Sequence, residues 1–400
     1  MTKIIKKDGS HELFNEEKII KAVKKSAERV MISLNDNQLS LVCMNVKDLC
    51  TTYCIQNGTD YVPVSEVHKM VEKALSKVDR DVAESYRSYR NYKTDFVQML
   101  DDVYKKAQSI MYLGDKENSN SDSSLVSTKR SLIAGELSKE LYQKFFLTSA
   151  ERKAAKEGFI YIHDMRDRLY TLNCCLADVG AVMKDGFEMG NIWYNEPKTL
   201  DTACDVLGDV IMSMASQQYG GFTAPNIDTV LAYYVEKSYN KYMKEIYDDL
   251  LICGADPLNI DENIVKNRAM SKVRRELEQG IQGLEIKLNT VASSRGDYIF
   301  VTFSFGNDTN PFAQLVSETI LKVRKGGQGK KGFEKVVLFP KLCFLYDEAV
   351  HGEGKELEYL FDLAIECSSK SMYPDYLALS GDGYVSEMYQ KYGRIVSPMG

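Results

Sequence analysis

The sequence predicts a mixed α/β protein in two parts, a small N-terminal α+β unit and a larger region of alternating helices and strands. Three observations carry this. Short strand-like segments before residue 15 are followed by a series of helical periodicities that ends near residue 95. A polar, turn-prone stretch then runs from Gly114 to Ser124. Beyond it, long amphipathic helices are separated by short strand-like runs, the alternation expected of βαβ units.

The elements follow in order. Ile4-Ile5-Lys6-Lys7 reads as a strand entering a turn at Asp8-Gly9, and a second short segment ends at Phe14. Asn15 then caps a helix with Ile19, Ile20, Val23 and Ala27 at helical spacing. A second helix is expected from about Asp36 to Tyr53, with Leu39, Val42, Val46, Leu49 and Cys50 on one face and Asn57-Gly58 as its stop. Ser65 is read as the cap of a third helix carrying Val67, Met70, Val71, Ala74, Leu75 and Val78. A fourth contains the aromatic and arginine-rich segment Tyr86 to Tyr92. Domain limits are set at 1–95, with a linker over 96–124 and a larger α/β region over 125–400. That region is expected to hold helices at Ser127–Phe146 and Thr199–Gln218, and strands at Phe159–His163, Gly283–Asn289, Ile299–Phe305 and Val336–Phe339.

Composition narrows the function. The 400 residues are 44% hydrophobic and 27% charged, ordinary for a globular protein. A net charge of −6 argues against a general nucleic-acid binder. Local clusters at Lys3–Lys7 and Arg324–Lys335 leave room for small phosphate-bearing ligands. No apolar run is long enough to span a bilayer and no secretory segment is evident, so a cytoplasmic location is expected. The nine cysteines form no C-x-x-C pair, which gives no zinc ribbon or thioredoxin-type couple. His163 has no second ligand at metal spacing, so no metal site is read in this chain.

Two groups of residues suggest chemistry. Lys6 and Lys7 beside the Asp8-Gly9 turn, with Lys18 in the first turn of the following helix, offer positive charge and free backbone N–H groups to a triphosphate. The second group is Asn173-Cys174-Cys175 in an apolar run, with Cys367 in Glu366-Cys367 to Asp375. Buried cysteines are usually inert, so the thiols by themselves do not decide.

The motifs taken together do. Ile5 to Gly9 with Phe14-Asn15 and Lys18-Ile19 resembles the ATP-cone, a regulatory nucleotide-binding domain. Glu117 to Asn120, Val126 to Arg130, Gly158 to Asp164, Asn173-Cys174 and Gln217 to Gly221 then occur in the order shown by the anaerobic ribonucleotide reductases. Leu288-Asn289-Thr290, Ser293 to Gly296, Phe339-Pro340-Lys341 and Glu366 to Asp375 continue that order.

The resemblance implies an ATP-cone followed by part of a ten-stranded α/β barrel, and anaerobic reduction of ribonucleoside triphosphates to deoxyribonucleoside triphosphates. It implies an ATP/dATP site at Lys6, Lys7, Glu12, Leu13, Phe14, Asn15, Lys18, His68 and Arg90. It makes Cys174 the carrier of a transient sulfur radical, and Cys367 a second thiol across the sugar, in a closed, dry pocket. Substrate contacts are expected at Ser127, Thr128, Asn173, Ser294 and Arg295, with a helix cap as the competing role for Ser127. Cys175 is read as structural.

Implied partners are a second copy of the chain and an activase using S-adenosylmethionine and an iron–sulfur cluster. Formate or a dithiol protein would be the reductant. The family's radical-storing glycine and four-cysteine zinc site find no match here, and Gly400 lacks the surroundings of that glycine. A complementing C-terminal segment is therefore expected, and 110–400 alone should leave strand edges and apolar surface uncovered. Two alternatives are an ATP/dATP-sensing fragment without turnover and another glycyl-radical enzyme of the pyruvate formate-lyase kind, against which the cone counts.

Overall fold

The structure is a computed structural model describing residues 2–6, 8–113, 124–169, 172–290 and 298–393, the side chains of 92–95 and 113 excepted. It divides into two compact units, Met1–Lys105 and Lys106–Gly400.

In the first unit, β1 (Lys3–Ile5) pairs antiparallel with β2 (His11–Leu13) and parallel with a later strand. Helices α1 (Glu16–Arg29) and α2 (Asp36–Asn57) intervene before that strand, β3 (Tyr61–Pro63). Asn15 caps α1 as expected, its side chain accepting from the Lys18 N–H. Asn35 and Gln38 form a capping box on α2, which runs beyond Tyr53 to Asn57 and stops at left-handed Gly58. Helix α3 (Val64–Leu75) starts earlier than expected. Pro63, held in the β1 ladder, takes the N-cap position without a side-chain bond, and Ser65 is an ordinary helical residue. Val23, Val42, Val46, Cys50, Val62 and Leu75 form the fully buried centre. Each such aliphatic side chain contributes about 1.5–3 kcal/mol.

Helix α4 runs unbroken from Arg80 to Leu113. The expected linker over 96–124 is thus helical through Leu113. No Gly or Pro interrupts residues 80–113, and Met99 and Ile110 are buried on it.

The second unit opens with α5 (Val126–Phe146) and α6 (Ser149–Lys156). Next come β4 (Cys175–Leu176), α7 (Val179–Met183) and the antiparallel hairpin β5 (Phe187–Met189) with β6 (Ile192–Tyr194). Helix α8 (Leu200–Gln217) leads to β7 (Phe222–Ala224), then α9 (Ile227–Ile252) and α10 (Glu262–Thr290) lead to β8 (Val301–Phe305). Helix α11 (Pro311–Gly326) precedes β9 (Lys341–Tyr346), α12 (Glu348–His351) and α13 (Glu358–Ser371) precede β10 (Asp375–Ala378), and α14 (Tyr384–Tyr392) follows.

Five strands form one parallel sheet in the order β10-β9-β8-β7-β4. Helical crossovers are what parallel neighbours require. Among the described residues this is half the strand number implied by the resemblance. No described helix is long and apolar enough to cross a membrane.

Of the four expected strands, only Ile299–Phe305 contains one. Gly283–Asn289 is the end of α10, because Ile281, Leu284 and Leu288 are buried at helical spacing. A short apolar run fits either period, and length decides for the helix. Phe159–His163 is irregular, with Phe159 79% and Tyr161 85% exposed, so it is not a buried strand. Val336–Phe339 lies just before β9.

Strand β8 alternates. Val301, Phe303 and Phe305 enter the core shared with α11 and α13, while Thr302 and Ser304 face the other way. At its far end the Gly306 peptide is gripped from both sides. Its N–H donates to the buried Asp228 carboxylate (2.8 Å) and its carbonyl accepts from His351 Nε2 (2.8 Å).

Candidate active site

The parallel register aligns Leu176 with Thr223, Thr223 with Thr302 and Thr302 with Lys341. Residues in one row of a parallel sheet share a face. That row carries Thr223, Thr302 and Lys341 beside Leu176, whereas the rows on either side, Phe222 with Val301 and Ala224 with Phe303 and Leu342, are apolar core. Parallel sheets buried on both sides read as continuous apolar runs. This one carries polar side chains in one row. Its sequence signal is the alternation in Val301-Thr302-Phe303-Ser304-Phe305, a strand-parity pattern that no motif expresses.

Cys174 stands at the start of this face, at the edge strand. Among the described residues its thiol is exposed, not enclosed in the closed, dry pocket expected, and donates to Asn173 Oδ1 (3.2 Å). The Gln217–Gly221 block is brought directly alongside: the Tyr219 N–H donates to the Leu172 carbonyl (3.0 Å) and the Gly220 N–H to the Asn173 carbonyl (2.9 Å). Both glycines are needed for close approach. A Cβ at Gly220 would intrude on Cys174 Sγ and lie 2.7 Å from Asn173 Oδ1, and one at Gly221 would lie 2.6 Å from Phe300 Cε1. Arg168 binds the hydroxyls of Tyr142 and Tyr219 beside this point. Cys175 points to the core, and burial raises its thiol pKa. It is a packing residue, as expected.

Cys367 departs from expectation. It is fully buried on α13, on the helix-covered side of the sheet, and its Sγ lies 3.5 Å from Ser371 Oγ. Burial raises its thiol pKa. Ser127 and Thr128 lie within the first turn of α5, whose N-cap is Leu125 without a side-chain bond, so Ser127 is no cap; Thr128 is buried. Ser294 and Arg295 lie outside the described residues. Asn289 proves structural: its Oδ1 accepts from the Leu338 and Phe339 N–H groups (3.2 and 3.0 Å). Beneath it lies the buried pair Arg324–Glu285, 2.8 Å apart, with Arg324 also donating to the Pro340 carbonyl. His163 and Asp164 form a hydrogen-bonded pair at the surface. A hollow of about 520 Å³ between α8, α9 and α10, lined by Asp201, Tyr242, Arg275 and Glu276 among others, contains neither thiol.

In the first unit the structure gathers four expected residues. Glu12 Oε2 bridges Lys6 Nζ (2.9 Å) and Lys18 Nζ (2.6 Å), beside the Asn15 cap. Its hydrogen bonds to Lys18 and Lys6 hold the Glu12 pKa below the usual carboxylate range, and Glu12 raises that of Lys6. Leu13 is exposed and Phe14 rests against the core. His68 hydrogen-bonds to the Tyr86 hydroxyl (2.7 Å), and Arg90 lies 3.6 Å from Glu72. Lys7 is outside the described residues.

Comparison with known proteins settles the relationship. Residues 117–400 match the family described as anaerobic ribonucleoside-triphosphate reductase, and residues 2–95 match the ATP cone domain. The chain belongs to the anaerobic ribonucleoside-triphosphate reductase family. It is 31% identical over 382 residues to the anaerobic ribonucleoside-triphosphate reductase of Haemophilus influenzae, covering 94% of this chain and 52% of that one. The Escherichia coli protein of the same name is also 31% identical over 382 residues, with 94% and 51% covered. The chain spans about half the length of the curated relatives it matches. A crystal structure of the anaerobic ribonucleotide reductase from Thermotoga maritima aligns with a TM-score of 0.48 at 15% identity, covering 76% of this chain and 51% of that one.

Proposed function

We propose that this chain supplies the nucleotide-sensing cone and one reactive face of an enzyme that reduces ribonucleoside triphosphates to deoxyribonucleoside triphosphates without oxygen. The observation that carries the reading is Cys174. Its sulfur is exposed beside the sheet row that carries Thr223, Thr302 and Lys341, and Gly220 packs against it. Cys174 exchanges hydrogen with the sugar, and Asn173 orients the thiol through its 3.2 Å hydrogen bond. In the net reaction the 2′ C–O bond breaks, the oxygen leaves as water and a C–H bond replaces it. The two electrons come from an external reductant, formate or a dithiol protein; a dithiol also supplies both protons, whereas formate supplies one and leaves as carbon dioxide, the second proton coming from water.

The activating radical comes from a glycine-bearing segment and an activase using S-adenosylmethionine and an iron–sulfur cluster, in a homodimeric, cytoplasmic assembly. Cys367 serves packing in this scheme. ATP promotes and dATP damps turnover through the cone, where Lys6 and Lys18 offer cations to a triphosphate. Supporting this role, the pair is already held around one anionic group, the Glu12 carboxylate.

The test is an anaerobic assay of deoxynucleotide formation with the activase and the C-terminal complement present, for wild type and Cys174→Ala. Turnover should be lost in the variant while ATP binding persists. Unchanged turnover without the Cys174 sulfur would remove the reading.

A further inference from the structure

We propose that the loop between α11 and β9 docks an acidic, extended segment of a partner protein, with Lys330, Lys331 and Phe333 at the centre of the contact. Nothing in it depends on Cys174. The cationic cluster over 324–335 is left unused by the nucleotide chemistry proposed above. Two of its five cations are answered inside the protein, Arg324 by Glu285 at 2.8 Å and Lys325 by Glu366 at 2.6 Å. Lys330, Lys331 and Lys335 are exposed and have no carboxylate partner among the described residues. The acid within the turn, Glu334, is bent back onto the loop and accepts from the Gly332 N–H (2.9 Å).

Apolar surface is interleaved with that charge. Phe333 is 72% exposed, and Val336 and Leu338, two positions apart, are each 45% exposed. The Lys330 ammonium lies 5.7 Å from the centroid of the Phe333 ring, so charge and ring are presented together. The backbone N–H groups of Lys330, Lys331, Val336 and Val337 have no hydrogen-bond partner among the described residues. The loop is also held in place. Its two limbs meet through reciprocal Gln328–Lys335 backbone bonds of 2.8 Å. One foot is fixed where Gln328 Nε2 donates to Glu285 Oε2 (3.0 Å), the other where Asn289 Oδ1 accepts from the Leu338 and Phe339 N–H groups. Glu285 and Asn289 stand one turn apart on α10, so both feet rest on one helix face. A tip on a fixed base loses little freedom when it docks.

Charge selects the occupant. Carboxylates spaced along an extended peptide meet separate lysines, while the side chains between them cover Phe333, Val336 and Leu338. A small phosphate would leave that apolar surface wet. A nucleic acid is disfavoured by the net charge of −6.

The probe is a fluorescein-labelled octapeptide alternating Glu and Val, titrated with the full chain and read by fluorescence anisotropy. Wild type should bind it, and more weakly as salt rises. Lys330→Glu combined with Lys331→Glu should weaken binding at least tenfold and Phe333→Ala at least threefold, while Lys330→Arg combined with Lys331→Arg retains it. These side chains are exposed, so the thermal midpoint should stay in place and serves as the folding check. An all-Glu octapeptide should bind at least threefold more weakly than the alternating one.

Absence of binding by wild type would overturn the proposal, as would equal binding by the charge-reversal variant. Equal affinity for the all-Glu and alternating peptides, with displacement by inorganic tripolyphosphate, would show a plain anion patch and overturn it. Tighter binding of single-stranded RNA than of the peptide would do the same. Where a midpoint shifts, the arginine variant decides: binding lost there too counts against the proposal.

Discussion

The sulfur of Cys174 fills the space that a side chain at position 220 would need, so thiol and glycine define one another's position. Gly220→Ala should therefore push Cys174 and Asn173 off the rim. Overpacking of this kind costs about 1–3 kcal/mol. The expected result is a lower urea midpoint together with a changed iodoacetamide reactivity of Cys174. An alanine variant with wild-type stability and reactivity would show that the rim has room.

The buried pair of Arg324 and Glu285 makes a sharper stability prediction. Both are nearly inaccessible, and Arg324 also holds the Pro340 carbonyl ahead of β9. Arg324→Met leaves an uncompensated carboxylate in the core and should cost about 3–5 kcal/mol. Adding Glu285→Leu should recover much of that loss in equilibrium denaturation. Additive losses in the double variant would show that the two side chains act independently.

Asp228 predicts a pH dependence. Burial, the largest effect, pushes its pKa up to about 6, against hydrogen bonds from Gly306, Ser317 and Thr229. The folded protein therefore holds this proton more tightly than the unfolded chain, whose Asp titrates near 3.9. The contribution is fully present below about pH 4 and is lost as pH rises through about 6, amounting to roughly 3 kcal/mol for a shift of about two units. Denaturant titrations across pH 4–7 should show this decline in wild type. It should be missing from the same curve of Asp228→Asn.

In the cone, Lys18→Ala should weaken ATP binding about tenfold and leave the thermal midpoint nearly unchanged, because the Lys18–Glu12 pair is exposed and surface pairs contribute little. Calorimetric titration with ATP separates the two effects. An unaltered affinity would remove Lys18 from the nucleotide site.

The first unit was largely legible in sequence because its signals are local. Asn15 caps where it was expected to, and Gly58 ends α2. The larger unit was less so. Its short strands depend on partners far along the chain, and Gly283–Asn289 satisfied a strand pattern while Leu284 and Leu288 satisfied a helical one. The position of Cys174 beside Gly220 was foreshadowed by two separate motifs, but only the β4–β7 pairing joins them. The burial of Cys367 was not legible for a related reason: a motif preserves residue identity and carries no information about which side of a sheet the residue takes. The row from Leu176 to Lys341 needed three inter-strand registers before it existed at all.

The double grip on Gly306 has a mechanical corollary. With its amide tied to Asp228 and its carbonyl to His351, that peptide plane cannot flip without breaking two interior bonds. Strand β8 is thus bolted at its trailing end. Any give that accommodates an incoming molecule must arise at the leading end, where the glycine pair and the exposed thiol sit, so compliance and chemistry share one border of the sheet.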